Sequence, residues 1–429
     1  MSRRRKIAAA IFSVIIVFGL SAAPSWADQT YVTPRAGEAY TTTLGGEAVT
    51  VPPRDRRSVT ALNLGLYGIP NGPRDANVAP FGALFIWRNW DNGRERFRGE
   101  IAGIYNALRY HRALSPLDGL ELVLTFDNLT VPIDRAEYAE AVRLSSEELM
   151  WHQFRLGLGL GWRRALAPGH QDNALELTLT YEPGALLFAR GNETAPGFVM
   201  PADTYEGRLH LRLRADALER NVLELPHAGL AAGLDGWAGH RAHWRDWGGG
   251  PSGLQDGSAH RAWLALSGYV VAAGAWPFSP AQRHRLIASA YGGVGARLDR
   301  FSAFRLGGGP GGGEWETLAR PLVPGAAFGE LFPSDYLVLN VEYRYELLFF
   351  LYLHLRGSMA WVDLFRFQGG GLIDRTDGLH SVSAAVTSGF LWNSQLELGY
   401  SHNFGLFRID EGVSRRGRDA LLISWSKEF

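Results

Sequence analysis

Cysteine is absent from the 429 residues. That excludes a disulfide framework and any thiolate metal centre. Lysine is almost absent, with Lys6 and Lys427 alone. The glycine-rich runs at 248–250 and 307–313 therefore lack the strand–loop–lysine–helix setting of a phosphate loop. There is no G-x-S-x-G elbow and no H-E-x-x-H, so no catalytic residues, no metal site and no cofactor are expected, and the chain is not read as an enzyme. The twelve histidines are scattered. His240 and His243 stand near Trp244 and Trp247, where an aromatic interfacial loop is a better reading than a metal or ligand site. Long apolar runs are missing except Ile7 to Leu20, whose 14 residues fall short of the roughly 20 that span a bilayer as a helix.

That one run has the flanks of an export signal. Arg3, Arg4, Arg5 and Lys6 precede it, and Ser25-Trp26-Ala27 follows as a small-x-small cleavage site. Residues 1–27 are expected to be removed, leaving a chain that starts at Asp28. The precursor is balanced at 43 basic and 43 acidic residues. The signal holds four of the basic ones and no acid, so the mature chain has 39 against 43, a net −4. No nucleic-acid partner is implied.

What is plentiful points to strands. Glycine numbers 52, tryptophan 14, and tyrosine plus phenylalanine 37. Residues 174–182 alternate strictly, with Leu175, Leu177, Leu179 and Tyr181 opposite Glu176, Thr178, Thr180 and Glu182. The same period of two runs through 154–163, where Phe154, Leu156, Leu158, Leu160 and Trp162 oppose Arg155, three glycines and Arg163. It recurs in 204–214 and in 337–347. Period two is the signature of strands, not of 3.6-residue helices. A soluble sandwich would alternate too. Here the polar face is dense in both charge signs, which suits a barrel lumen where carboxylates and guanidinium groups compensate one another. Arg208, Arg212 and Arg214 are read as balanced by Glu176, Glu182 and Glu206 rather than as an anion-selective stripe. A closed barrel satisfies every backbone group in lipid and leaves no edge.

The final strand, DALLISWSKEF, places Trp425 and the terminal Phe429 on its apolar face. A terminal aromatic on such a strand is the expected assembly signal of a bacterial outer-membrane barrel. Fifteen strands are clear between residue 59 and Phe429, with 96–110 read as one of them. With both ends periplasmic the number must be even, so sixteen strands are expected, the last one hidden at 136–144. The tight turn Asp91-Asn92-Gly93 is assigned to the periplasm. The long links near 185–203, 239–259, 296–334 and 364–379 are assigned to the outside. The domain plan is a signal at 1–27, a short periplasmic segment at 28–58 and a transmembrane antiparallel β-barrel at 59–429.

The last 150 residues carry a family resemblance. FSAFRLGGGPGGGEW (301–315) supplies an F-x-x-G-G start in Phe304, Gly307 and Gly308. A Y-R strand follows with Glu342, Tyr343, Arg344 and Leu347, then a strand ending in tryptophan and the hairpin SQLELGY. This order resembles the C-terminal half of the BamA/TamA superfamily of outer-membrane barrels, the bacterial surface antigen type. The resemblance covers roughly a third of the chain. It implies a long sixth extracellular loop folding toward the lumen. It also implies protein or lipid translocation or insertion at the outer membrane, with partners in outer-membrane lipid, lipopolysaccharide and, during biogenesis, the barrel assembly machinery.

Two departures stand out. The family places POTRA domains before the barrel, and residues 28–58 are too few for one. Where the family's loop-six tip has an arginine, this chain has Gly313, followed by Glu314 and Trp315. The family's arginine pairs with an acid on strand thirteen, whereas the matching strand here turns His354 and Arg356 inward. One hypothesis drawn from this is a lock with its charges exchanged, Glu314 meeting Arg356, beside a lumen charge network of Glu342, Arg344, Glu346, His354 and Arg356. The reading favoured over that lock makes Glu314 a solvated loop residue and Arg356 one of many lumen arginines. The competing functional reading is a passive diffusion porin for small solutes.

Overall fold

The computed structural model describes residues 32–429 except 54, 71–77, 115–118, 132–137, 140–141, 144, 169–170, 251, 278–281, 310–317, 319, 369–370, 390–392 and 411–412. The expected signal and cleavage site at 1–27 lie outside the described residues.

Sixteen antiparallel strands close into one barrel. The first five are β1 (Ser58–Gly68), β2 (Val78–Trp90), β3 (Glu95–Ile101), β4 (Tyr105–Ala113) and β5 (Leu120–Val131). Then come β6 (Leu149–Ala165), β7 (Ala174–Arg190), β8 (Thr204–Arg220), β9 (Pro226–Arg241), β10 (Ala262–Ala275) and β11 (His284–Ala296). The last five are β12 (Pro333–Leu348), β13 (Leu351–Gln368), β14 (Gly371–Gly389), β15 (Ser394–Asp410) and β16 (Val413–Glu428). Each strand pairs with its sequence neighbours. The ring closes where β16 meets β1, from Leu421 opposite Gly68 to Glu428 opposite Ala61.

Alternation decides which residues face out. On β6, Leu156 and Leu158 are 60% and 59% exposed while Arg155 between their neighbours is 3% exposed. Leucines outside and charges inside invert the order of a soluble protein. An apolar belt of this extent is stable only against lipid. The faces assigned from the sequence hold on β6, β7, β8 and β12.

The strand total matches the expectation, but its route differs. The missing strand is not at 136–144, where the described residues hold only the two-residue pieces Tyr138–Ala139 and Val142–Arg143. It comes from the segment 96–110, read as one strand. Ala102-Gly103-Ile104 breaks it into β3 and β4, with Gly103 at φ 76° and the Asn106 side chain accepting from the Ala102 and Gly103 N–H groups. A left-handed glycine with an Asn cap is a turn that polar–apolar alternation does not register. The expected long loop at 364–379 is corrected too. β13 and β14 stay paired from Leu351 opposite Ser388 out to Gln368 opposite Gly371.

The N-terminal segment is not a simple tether. A two-stranded hairpin, Tyr40–Leu44 with Glu47–Val51, stands apart from the barrel sheet. Ahead of it, Thr33 and Ala36 are buried.

Candidate functional site: a lumen closed by loop six

Loop six, residues 297–332, leaves β11 and turns into the barrel. Its first residues tie the extracellular loops together. Phe301 packs against Phe188, Trp247, Trp151 and Trp244, with ring centroids 4.8–5.8 Å apart. Next to it, Asp299 accepts from Arg241 at 2.6 Å, and Arg241 also meets Glu206 at 2.8 Å. Burial opposes ionisation of the Asp299 carboxyl, but Arg241 outweighs it and holds the acid below the usual carboxylate range. Arg300 donates to the Glu147 carbonyl at 2.9 Å. Trp244 and Trp247 are thus buried in the extracellular cap rather than displayed in an interfacial loop, while His240 and His243 are exposed, His240 with its ring 5.7 Å from that of Tyr205. Among the described residues no cluster suits a metal ion.

Deeper in, the loop pairs with itself. Leu306 and Leu331 exchange backbone bonds of 2.8 and 3.0 Å, and Val323 N–H donates to Gly307 O at 2.9 Å. Leu306, Val323, Ala326 and Leu331 join a buried cluster with the wall residues Tyr291, Val338 and Leu406. The lumen is therefore packed with side chains on this side rather than filled with water. Phe304 sits edge-on to Tyr336 at 5.1 Å. Gly308 is required by close approach, because a Cβ there would overlap the Tyr67 hydroxyl. That hydroxyl donates to Ala326 O and accepts from Gly325 N–H, each at 3.1 Å.

The ionic anchor of the loop is Glu330. Its carboxylate accepts from Arg408 Nε on β15 at 2.6 Å and from Arg418 Nη1 on β16 at 3.0 Å, and also from Ala327 N–H at 2.7 Å. All three side chains are buried, with exposures of 2%, 9% and 4% for Glu330, Arg408 and Arg418. Burial alone would raise the Glu330 pKa, but the two guanidinium groups lower it. A bulge at 403–407 shapes this socket. Asn403 accepts from Gly405 and Leu406 N–H and donates to Pro324 O at 2.8 Å. This contact sets an acid of the loop against arginines of the wall, on residues the sequence reading did not single out. Glu314 and Trp315 lie outside the described residues. Arg356 is held by wall acids, Glu342 at 2.7 Å and Glu397 at 3.1 Å.

Glu342 is a hub. It receives Arg344 at 2.7 Å, His354 Nδ1 at 3.0 Å and Arg356. Glu346, placed in the same network from sequence, is elsewhere: it accepts from Thr33 Oγ1 at 2.7 Å near the periplasmic end. On the other half of the wall charges also pair, but mostly with partners other than those expected, Glu206 for instance going to Arg155 and Arg241. Arg208 pairs with Glu182 and with Asp127 (3.1 Å), Arg214 with Asp235 (2.5 Å), and Arg163 with Glu176 (2.9 Å). A cavity of about 360 Å³ remains between loop six and the turn at 221–225, lined by Tyr67, Leu223, Glu342, Arg356, Ser383 and Glu397. The loop therefore docks onto β1, β15 and β16, the strands at and beside the closing seam. At that seam Trp425 stands opposite Leu64, and Phe429 N–H donates to Thr60 O at 2.9 Å.

No protein-family model and no curated protein matches the chain. Among solved structures, BamA from Haemophilus ducreyi lacking POTRA domains 1–3 is similar with a TM-score of 0.52. It shares 10% identity, with 91% of this chain and 75% of that one covered. CdiB from Escherichia coli gives 0.49 at 13% identity, over 93% and 68%. CdiB from Acinetobacter baumannii gives 0.46 at 11%, over 92% and 66%. Together with the closed ring and the inward sixth loop, the likeness to BamA gives the fold: a sixteen-strand, BamA-like barrel.

Proposed function

We propose that the chain is an outer-membrane barrel that inserts or moves protein or lipid segments through its β16–β1 seam. The observation that carries this reading is the docking of loop six on the strands flanking that seam. Glu330 ties the loop to Arg408 and Arg418, and Tyr67 on β1 bridges Gly325 and Ala326. A loop that grips β1, β15 and β16 biases whether the seam stays paired. An open diffusion channel has no use for a lumen packed with Leu306, Val323 and Leu331. In this reading Phe429 is presented to the assembly machinery during biogenesis, and lipid and lipopolysaccharide surround the mature barrel.

The test is reconstitution. Vesicles carrying the protein are offered a urea-unfolded outer-membrane barrel, and its folding rate is measured. A second sample carries a disulfide across the seam, built with Asn63→Cys and Ser426→Cys at facing register positions. Acceleration that vanishes when the seam is locked and returns on reduction supports the reading. No acceleration, with large, uniform single-channel steps in planar bilayers, overturns it in favour of a porin.

A further inference from the structure

Residues 33–36 lie against the periplasmic turn between β8 and β9. Ala36 N–H donates to Arg220 O at 3.0 Å, and Pro34 O accepts from Val222 N–H at 3.1 Å. Arg35 and Asn221 thereby form an antiparallel bridge. Gln171, in the turn between β6 and β7, clamps both sides: it donates to Ala36 O at 3.2 Å and accepts from Arg220 N–H at 2.9 Å. Thr33, fully buried, reaches Glu346 on β12. Arg35 adds an ion pair to Glu219 at 3.4 Å.

The turn itself bends into the lumen. The Asn221 side chain accepts from Leu223 and Leu225 N–H at 3.0 Å each. Leu223 is buried so close to β14 that a Cβ added at Gly389 would come 2.9 Å from it. Arg56, just before β1, meets Glu224 of this turn at 3.1 Å, with side-chain exposures of 4% and 1%. β1 and β9 stand eight places apart in a ring of sixteen, on opposite sides of the barrel. The chain from Arg56 back to Thr33 and the turn 221–225 therefore cross the periplasmic mouth beneath the 360 Å³ cavity.

From this crossing we propose that residues 33–36, bridged to the turn at 221–225, form a periplasmic gate separate from loop six. Any chain entering from the periplasm must peel the strap off first. The strap is held by backbone bonds, the side chains of Thr33 and Gln171 and the Arg35–Glu219 ion pair. Such a strip detaches locally without unfolding the barrel behind it. The proposal stands whatever the barrel carries, because it concerns access to the cavity and not what passes the seam.

The absence of native cysteine makes the test direct. Ser383→Cys places one thiol in the cavity wall. Its modification by a membrane-impermeant charged thiosulfonate, added to the periplasmic side of reconstituted protein, is read by peptide mass at position 383. Ala36→Pro deletes the N–H that bonds Arg220 O, and the rate at 383 is expected to rise at least tenfold. A second protein adds Arg35→Cys and Asn221→Cys to Ser383→Cys. The bridge pair is of the non-hydrogen-bonded type, about 4.5 Å between Cα atoms, which a disulfide tolerates. Oxidising this pair is expected to slow labelling at 383 at least tenfold against the reduced protein. A rate that Ala36→Pro leaves within twofold in a folded barrel overturns the gate. So does an equal rate in the oxidised and reduced triple variant, which holds even where the proline variant fails to fold.

Discussion

Glu330→Gln isolates what the ionic anchor contributes to loop six. The substitution keeps shape and one oxygen but removes the charge that Arg408 and Arg418 share. Both arginines are more than nine-tenths buried, so they lose their shared carboxylate in a medium that screens poorly. The new amide also presents N–H groups where Ala327 N–H and Arg418 now donate. Removing one member of such a buried pair costs about 3–5 kcal/mol. At about 1.4 kcal/mol per decade, the undocking equilibrium of the loop shifts by roughly two to three and a half decades. Hydrogen exchange reads this directly at the amides of Leu306, Gly308, Val323 and Leu331, which bond only within the loop. Their exchange is expected to accelerate by that factor while barrel amides such as Leu158 on β6 stay unchanged. The swapped pair, Glu330→Arg with Arg418→Glu, is expected to recover part of the protection. Exchange at the loop amides within threefold of wild type in Glu330→Gln would refute the reasoning. The loop would then be held by its apolar cluster alone.

Tyr67→Phe strips the hydroxyl that serves Gly325 N–H and Ala326 O, leaving two buried backbone groups short of a partner. Loop-six docking is expected to weaken by about 1–3 kcal/mol, seen as faster exchange at Gly308. Phe301→Ala removes the ring at the centre of the extracellular cap, and a loss of about 3–5 kcal/mol should appear as trypsin cleavage of the outer loops with the barrel intact. Glu342→Gln leaves Arg344, His354 and Arg356 facing one another. Arg356 is a third exposed, so the loss should sit at the low end of about 3–5 kcal/mol, measured as a lower midpoint of thermal unfolding in detergent. The Glu330 pKa is lowered in the folded state, so its contribution is complete above the ordinary glutamate value near 4.3 and is lost as pH falls through the lower folded value. Loop-six exchange, corrected for its intrinsic pH dependence, should therefore be flat from pH 8 to about 5 and rise only at lower pH. A rise between pH 6 and 7 would mean a histidine, not Glu330, controls the loop.

The barrel was legible because lipid and lumen each select one face of every strand. Leu156, Leu158 and Leu160 could be assigned outward and Arg155 and Arg163 inward without coordinates. The misses occur where that period breaks. Gly103 turns the chain inside what reads as one strand. The anchor was hidden for the same reason. Counting by twos along β15 from inward Glu397 and Ser401 puts Arg408 outside. The bulge at 403–407 inserts an offset, so Phe407 faces out at 39% exposure and Arg408 is buried at 8%. Arg418 keeps the alternation of β16, yet its partner Glu330 sits in a loop with no period at all. The signal that was present is the run N-F-G at 403–405: an Asn able to cap its own strand, followed by a glycine, is the composition of a bulge. The loop's acid–arginine contact falls on Glu330, Arg408 and Arg418, none of which the sequence reading named, while Glu314 lies outside the described residues. Choosing the residues required the fold.

The placement of closures follows from the seam. A barrel made of sixteen hydrogen-bonded junctions has one, β16–β1, that joins chain ends rather than a connected hairpin. Every other neighbour pair is tethered by a turn or loop, so local opening there must also strain a connection. At the seam no connection resists, and side-chain contacts from elsewhere must supply the restraint. Loop six does so from inside through Tyr67 on one strand and Arg418 on the other, with a single segment, 325–330, gripping both. Separating β1 from β16 therefore requires that segment to release at least one side, which couples seam opening to loop docking. The strap at 33–36 bonds to the β8–β9 turn, Gln171 and Glu346 and is joined to β1 through residues 37–57, and Arg56 fixes that link to Glu224. Outward movement of β1 pulls on the Arg56–Glu224 pair. Thus a disulfide across the seam should slow labelling at position 383 if the gates are mechanically linked, and leave it unchanged if the strap opens alone.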